Sequence, residues 1–205
     1  MRLLKSKEKK ERALQTRLGL KAHRSFSPKS AMVRRPNKPG EHGAKFSRSG
    51  SEFKIQLMEK QKMKISYGLT ERQMKNMFKV VSKSKKSAMD VITRELEMRL
   101  DNVVYRMGLI PSRIMGRQFV GHGHFLVNGR KVTIPSYKVR VGDVISPKEN
   151  IKNHDLFKDL KNTLKSQRED WFIVDLDKLE GKVKSLPEKI DFPFNINLIV
   201  DYYSR

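Results

Sequence analysis

Phe125-Leu126-Val127-Asn128-Gly129-Arg130-Lys131-Val132 reads as a β-hairpin. Runs of strand-forming residues flank an Asn-Gly pair. A two-residue type I′ turn needs positive φ at both central positions, which Asn followed by Gly supplies with little strain. Pro135-Ser136 then breaks the chain, and Val139, Val141, Val144 and Ile145 predict a further strand around a Gly142-Asp143 turn. Upstream, the apolar period becomes helical. Asp90 is placed to cap a long helix in which Leu96, Leu100, Val103, Val104 and Met107 fall within a stripe of about 100°. Arg99, Asn102 and Arg106 run along one edge of it, and Gly108 stands at the C′ stop. Pro111-Ser112 opens a short helix that Gly121 closes. On it Arg113 and Arg117 lie one turn apart, with Ile114, Met115 and Phe119 supplying the inner side. Residues 99–160 are thus expected to form a small helix–helix–hairpin domain.

Towards the N-terminus, Ser51 is placed to cap a helix that ends at Tyr67-Gly68. Phe53, Leu57 and the stem of Lys64 mark its apolar spacing, with Lys54, Lys60, Lys62 and Lys64 elsewhere on its surface. Thr70-Glu71-Arg72-Gln73 has the form of a capping box, and Met74, Met77, Phe78 and Val81 follow as a second stripe. These helices make up a domain over residues 51–98. Residues 1–50 read as a basic extension and loop, because the prolines of Arg34-Arg35-Pro36-Asn37-Lys38-Pro39-Gly40 remove donors and hold their predecessors extended. Few apolar side chains anchor that loop, so phosphates are expected to order it through Arg34, Arg35, Lys38, Lys45 and Arg48. In the tail, Leu156, Leu160 and Leu164 predict a helix, Trp171 to Val174 a strand, and Leu198 to Tyr203 an apolar docking segment. Residues 161–205 are expected to pack on the helical domain.

The 205 residues hold 45 Lys and Arg against 22 Asp and Glu, a formal net charge of +23. Residues 1–90 carry 25 basic and 7 acidic residues, residues 91–145 carry 9 and 4, and the remainder carries 11 of each. A polyanion relieves such self-repulsion by neutralising charge and releasing counterions, so nucleic acid is the expected partner and the first half its main contact. A basic disordered tail accounts only for the first few residues, since apolar periodicity begins soon after. The absence of cysteine excludes a disulfide framework, a cysteine nucleophile and a cysteine-ligated metal. Neither a membrane span nor a secretory signal is expected, and Glu8 and Glu11 argue weakly against a transit peptide. His122 and His124 stand two apart, the spacing of residues on one strand face, which invites a metal, but no nearby acid or cysteine completes a site. Gly121-His122-Gly123 precedes a hairpin and not a helix, which removes it as a nucleotide-binding loop.

Arg99 to Gly108, and Val127-Asn128-Gly129-Arg130 followed by Ile134-Pro135-Ser136-Tyr137, resemble the small αL-type RNA-binding domain named after ribosomal protein S-four. That domain also occurs in pseudouridine synthases, tyrosyl-tRNA synthetases and heat-shock proteins. Six further stretches narrow the choice: Pro39 to Gly43, Leu57 to Lys62, Tyr67 to Gln73, Trp171 to Asp175, Leu179 to Gly181 and Leu198 to Ser204. In this order they resemble the ribosomal S-four family. The resemblance implies an α+β fold: a mainly helical basic N-terminal domain, an inserted αL-type domain and a C-terminal tail that docks back. It implies a structural constituent of the small ribosomal subunit, with no enzymatic activity and no cofactor, that binds small-subunit rRNA. It further implies organisation of the 5′ domain junction during assembly and, with ribosomal protein S-five, an influence on translational accuracy. Ribosomal protein S-three, near the channel by which mRNA enters, and mRNA itself are further implied partners, and a membrane is not. The implied location is the small subunit in the cytoplasm, with an organellar ribosome left open. Some members hold zinc near the N-terminus with cysteines. Ser25-Phe26-Ser27-Pro28-Lys29-Ser30 looks like such a segment with serines instead. A hydroxyl is a poor zinc ligand beside a thiolate, so no zinc is expected and RNA is expected to order the segment.

A-form RNA is recognised mostly by shape, phosphates and 2′-hydroxyls, which calls for Lys and Arg on a rigid frame. The candidate rRNA-binding residues begin with Arg34, Arg35, Lys38, His42, Lys45 and Arg48 in the extension. Lys54, Lys60, Lys62, Lys64, Tyr67 and Arg72 follow on the helical domain. The small domain adds Arg99, Arg106, Arg113, Arg117, Gln118, His122, His124, Asn128, Arg130, Lys131 and Tyr137. His42 is read as a donor to phosphate or 2′-hydroxyl. Arg113 and Arg117 have no acid on their own helix, which points to phosphate, with a solvated face as the plain alternative. For Tyr137, stacking on a base and packing on the hairpin stand even. An RNA-modifying enzyme would need a catalytic domain larger than the sixty or so residues left after residue 145 allow. A free RNA chaperone or translational regulator is compatible with the ribosomal reading.

Overall fold

The computed structural model describes residues 6–25, 27–45, 50–152, 170–175, 178–188 and 190–204. The helices, in order, are α1 (Lys7–Leu14), α2 (Ala22–Ser25), α3 (Ala31–Arg34), α4 (Glu52–Ser66), α5 (Glu71–Lys83), α6 (Ala88–Glu97), α7 (Leu100–Arg106) and α8 (Arg113–Gly121). Strands β1 (Phe125–Val127), β2 (Arg130–Lys131) and β3 (Val144–Pro147), helix α9 (Glu149–Lys152), strands β4 (Phe172–Asp175) and β5 (Glu180–Val183), and helix α10 (Ile196–Ser204) complete the series. The chain divides into two compact units, Met1–Ile92 with Asp191–Arg205, and Thr93–Ile190.

In the first unit α1 ends at Gln15, whose φ of 51° is left-handed. The buried Glu11 carboxylate then accepts from Leu18 N (3.0 Å) and Leu20 N (3.1 Å), which folds the chain back over α1. Ser51 caps α4, and Thr70 with Gln73 forms a complete capping box on α5, both as the sequence predicts. The buried side of α4 is not the predicted one. Gln56, Lys60 and Met63 point inward, spaced by four and three, while Phe53 is half exposed. Helix α10 packs on α4 and α5. Tyr203 stacks on Phe78 at 4.3 Å, and Tyr202 lies 5.6 Å from Phe53.

In the second unit the single long helix expected from Asp90 to Met107 is two. Arg99 is extended (φ −74°, ψ 137°) and forms a β-bridge with Lys138. Val139 N donates to Met98 O, Leu100 N to Tyr137 O and Asp101 N to Pro135 O, at 2.8, 2.9 and 3.1 Å. These distant partners replace the helical bonds lost at the break and satisfy the first amides of α7. The sheet runs β2-β1-β3-β5-β4, with every neighbouring pair antiparallel. Its hairpin is the predicted one: Val127 pairs with Arg130, and Asn128 and Gly129 take φ of 50° and 76°. The strand expected around Gly142-Asp143 begins at Val144, with Val139 buried in the preceding loop and Val141 exposed.

Strands β4 and β5 join this sheet through β3, pairing Val144 with Lys182 and Ile145 with Gly181. Trp171, Phe172, Leu179 and Val183 therefore share a core with Leu100, Val103, Val104, Met107, Phe125 and Ile145. The expected boundaries at 99–160 and 161–205 are corrected accordingly, since only the segment from Asp191 onward belongs with the helical unit. The helix predicted at Leu156, Leu160 and Leu164 lies outside the described residues. Among the described residues no helix is long and apolar enough to cross a membrane.

Candidate nucleic-acid interface

Helix α8 approaches α7 closely because Gly116 puts no side chain between them; a Cβ there would stand 2.7 Å from the Asp101 carbonyl oxygen. Gly116 and Val120 form its buried side, with Met115 and Phe119 packed on the core. Of the predicted inner side, Met115 and Phe119 do pack on the core, and Gly116 and Val120 lie deeper still. The approach carries Arg113 and Arg117 over two buried carboxylates, Glu97 and Asp101. Arg106 grips Glu97 with Nε (2.9 Å) and Nη2 (3.1 Å). Arg113 donates from Nε to Asn102 Oδ1 (2.7 Å), its Nη2 lies 3.9 Å from Glu97, and its guanidinium sits 4.7 Å over the Tyr105 ring. Arg99 holds Asp101 through Nε (3.1 Å) and Nη2 (2.8 Å), and Arg117 Nη1 lies 3.4 Å from the same carboxylate. Asn102 ties the group together by donating to the Glu97 carbonyl at 3.2 Å and to its carboxylate.

Four guanidinium groups thus meet two carboxylates. Burial lowers the Arg117 pKa; Asp101 opposes that shift and the nearby Arg99 charge adds to it. Arg113 and Arg117 have no acid on their own helix, as the sequence indicates, but acids from α6 and α7 face both. The side chains of Arg106, Arg113 and Arg117 keep 18, 20 and 17% of their surface exposed, whereas Arg99 keeps 8% and is buried. Nearby in the chain Gln118, His122, Arg130, Lys131 and Tyr137 are exposed. His124 is half-buried, edge-on to Phe119 and 5.7 Å from the His122 ring. Asn128 serves the fold: its amide donates to Asp143 Oδ1 (2.8 Å) and its oxygen accepts from Val144 N (2.9 Å).

In the first unit Arg24, Ser27, Lys29 and Arg34 line a shallow surface concavity. Arg24 and Lys29 were not among the candidates; only their place beside Arg34 marks them. Glu8 accepts from Lys21 (2.8 Å) and Arg24 (3.0 Å). The Lys21 hydrogen bond holds its carboxyl below the usual range, against burial and with help from both cations. Ser25 accepts from Lys21 N, Ser27 donates to Arg24 O, and Ser30 caps α3. Ser25, Ser27 and Ser30 thus bond within the protein itself. The Pro-rich loop also has bonds to the rest of its own unit. Arg12 donates to Asn37 O at 3.0 and 2.8 Å and to Lys38 O at 3.5 Å, and Gln15 donates to Pro36 O at 3.1 Å. Arg34, Arg35, His42 and Lys45 remain exposed and Lys38 is half-buried, while Arg48 lies outside the described residues. Among the described residues no three His, Cys, Asp or Glu side chains gather where a metal ion would sit.

On α4 and α5, Lys54 and Arg72 are exposed. Lys60 is buried, 2.7 Å from Glu71, donating to Tyr202 Oη at 3.3 Å and lying 4.4 Å over that ring. Lys64 pairs with the other Glu71 oxygen (2.9 Å) and Lys62 with Glu59 (2.6 Å). Tyr67 is buried with its ring edge-on to Phe194. Lys60 and Tyr67 are thereby corrected from RNA contacts to groups that fasten the C-terminal segment.

A small helix–helix–hairpin body bearing a cluster of arginines, together with a basic helical unit, defines an RNA-binding α+β protein. Sequence comparison agrees: residues 98–145 match the family described as S4 domain, and residues 2–97 match the ribosomal protein S4/S9 N-terminal domain. The chain is 44% identical over 192 residues to small ribosomal subunit protein uS4 of Thermus thermophilus, covering 92% of each chain. Identity to uS4 of Halothermothrix orenii is 46% over 194 residues, again 92% of each. For uS4 of Aquifex aeolicus it is 42% over 200 residues, covering 94% of this chain and 95% of the relative. The chain belongs to the uS4 family of small ribosomal subunit proteins, which are structural components and not enzymes.

Proposed function

We propose that this chain binds small-subunit rRNA directly, organises the 5′ domain junction during assembly and, beside ribosomal protein S-five, influences translational accuracy. Ribosomal protein S-three and mRNA are the other neighbours this reading gives it, and the small subunit of the cytoplasmic ribosome is its place. Family membership supports the assembly and accuracy roles. The direct contact rests on one observation: Arg24, Lys29 and Arg34 surround a concavity in the part of the chain that holds 25 basic and 7 acidic residues. Three phosphate contacts fit that charge. Their loss should lower the slope of log affinity against log salt by roughly 0.7–0.9 each. The test is binding of a 5′ domain transcript by the wild type and by the Arg24→Ala, Lys29→Ala, Arg34→Ala triple variant across a salt series. A slope reduced by about 2 is expected; an unchanged slope overturns the assignment of this surface. Chemical probing of the transcript with the protein alone tests the assembly role, which predicts protection at the junction before any other protein is added.

A further inference from the structure

Buried acid beneath an RNA-binding face is at first sight a handicap. Glu97 is fully buried and Asp101 is 4% exposed. Each carries a charge that repels phosphate and is costly to bury. Two cations would neutralise them. Four arginines converge instead, and three of these reach solvent along about a fifth of their side chains. Neutralisation alone does not call for that surplus.

The geometry does call for it if the acids set direction. Arg106, Arg113 and Arg99 each turn Nε inward, to Glu97, Asn102 and Asp101 respectively. Asn102 is itself locked by Glu97, and Tyr105 backs the Arg113 plane. A free arginine samples many rotamers and loses that freedom on meeting a phosphate. One held beforehand loses less, which is how preorganisation raises affinity.

We propose that Glu97 is a positioning residue for RNA binding: it does not touch the RNA, and it holds Arg106 and Arg113 in the orientation that meets backbone phosphate. Asp101 serves Arg117 in the same way. This rests on the RNA-binding reading above and makes a prediction opposite in sign to simple electrostatics. Removing a negative charge from a polyanion binder should tighten binding; removing this one should weaken it.

The test uses the full chain and a 5′ domain transcript. Glu97→Gln keeps the side-chain length and is expected to weaken binding at least fivefold, despite its gain of one positive charge. Asp90→Asn removes the same charge from an exposed position on α6 and should leave binding unchanged or slightly tighter. In the Arg106→Ala, Arg113→Ala background, Glu97→Gln should cause no further loss, because the groups it acts through are gone. A general loss of fold would not show that dependence. Equal or tighter binding by Glu97→Gln overturns the inference. Undiminished binding by the Arg106→Ala, Arg113→Ala variant overturns instead the assignment of RNA to this face. If Glu97→Gln does not fold, NMR of the free wild type decides. Sharp, slowly exchanging Nε–H signals from Arg106 and Arg113 before RNA is added are expected, and motionally averaged ones sink the idea.

Discussion

At the scale of single residues, Glu71 shows how a charge can be used up inside the protein. Partial burial raises its carboxyl pKa, but hydrogen bonds from Lys60, Lys64 and Tyr203 outweigh that and bring it from 4.5 to about 2. Burial likewise disfavours the charged form of Lys60, and Glu71 and Tyr202 reverse the balance, so its pKa is raised. Burial and the bond to Glu71 push the Tyr203 hydroxyl up. A carboxyl depressed in the folded state contributes stability above its unfolded pKa and loses it as pH falls through the folded one. Docking of α10 should therefore weaken between pH 4.5 and about 2. Hydrogen exchange of the α10 amides is the measure, and Glu71→Gln should flatten its dependence on pH in that window. Equal steepness in the variant would show that another group governs the docking. The docking of Leu198 to Tyr203 was legible in the sequence, but the charge network beneath it was not. Lys60 sits among surface lysines in the chain, and its partners lie 11 residues away on α5 and 142 away on α10.

At the scale of elements, local chemistry was readable and long-range choice was not. The Asn128-Gly129 turn, the Thr70–Gln73 capping box and the Ser112 cap all follow from residues within four positions of one another. The break between α6 and α7 does not, because its carbonyl partners at Pro135 and Tyr137 are more than thirty residues on. The contact of α8 with α7 is of the second kind as well. A helical glycine at position 116 lowers propensity, and only the facing Asp101 carbonyl explains it. Gly116→Ala should consequently destabilise the second unit by about 1–3 kcal/mol, the usual range for overpacking, although alanine is the better helix former. It should also lift α8 and loosen Arg113 and Arg117 over their acids. Chemical denaturation with the midpoint compared at constant slope measures the first effect. A neutral or stabilising result would mean that α8 can slide without cost.

At the scale of the whole molecule, the polarity of the two halves was evident from charge, but the path of the tail was not. Trp171 to Val174 is readable as a strand, yet nothing in those residues says which sheet it joins. The answer lies in the edge of β3, which β5 covers on the side away from β1. A fragment ending near residue 160, the boundary that the sequence suggests, would leave that edge bare. It would also take Trp171, Phe172, Leu179 and Val183 out of the core. At about 1.5–3 kcal/mol for each buried side chain, the loss is on the order of 6–12 kcal/mol. That is comparable with the ~5–15 kcal/mol that holds a typical domain together. Residues 93–190 should fold alone, with dispersed amide signals and cooperative thermal unfolding, whereas residues 90–160 should not. Gly181 marks a contact that the cut removes, since β5 passes close enough to Met107, at the end of α7, that a Cβ there would collide with its sulfur. In the shorter fragment the Met107 methyl should show the shift of an exposed methionine. If residues 90–160 instead give a dispersed spectrum with a buried Met107 methyl, then β4 and β5 decorate the sheet without stabilising it, and the core ends at β3.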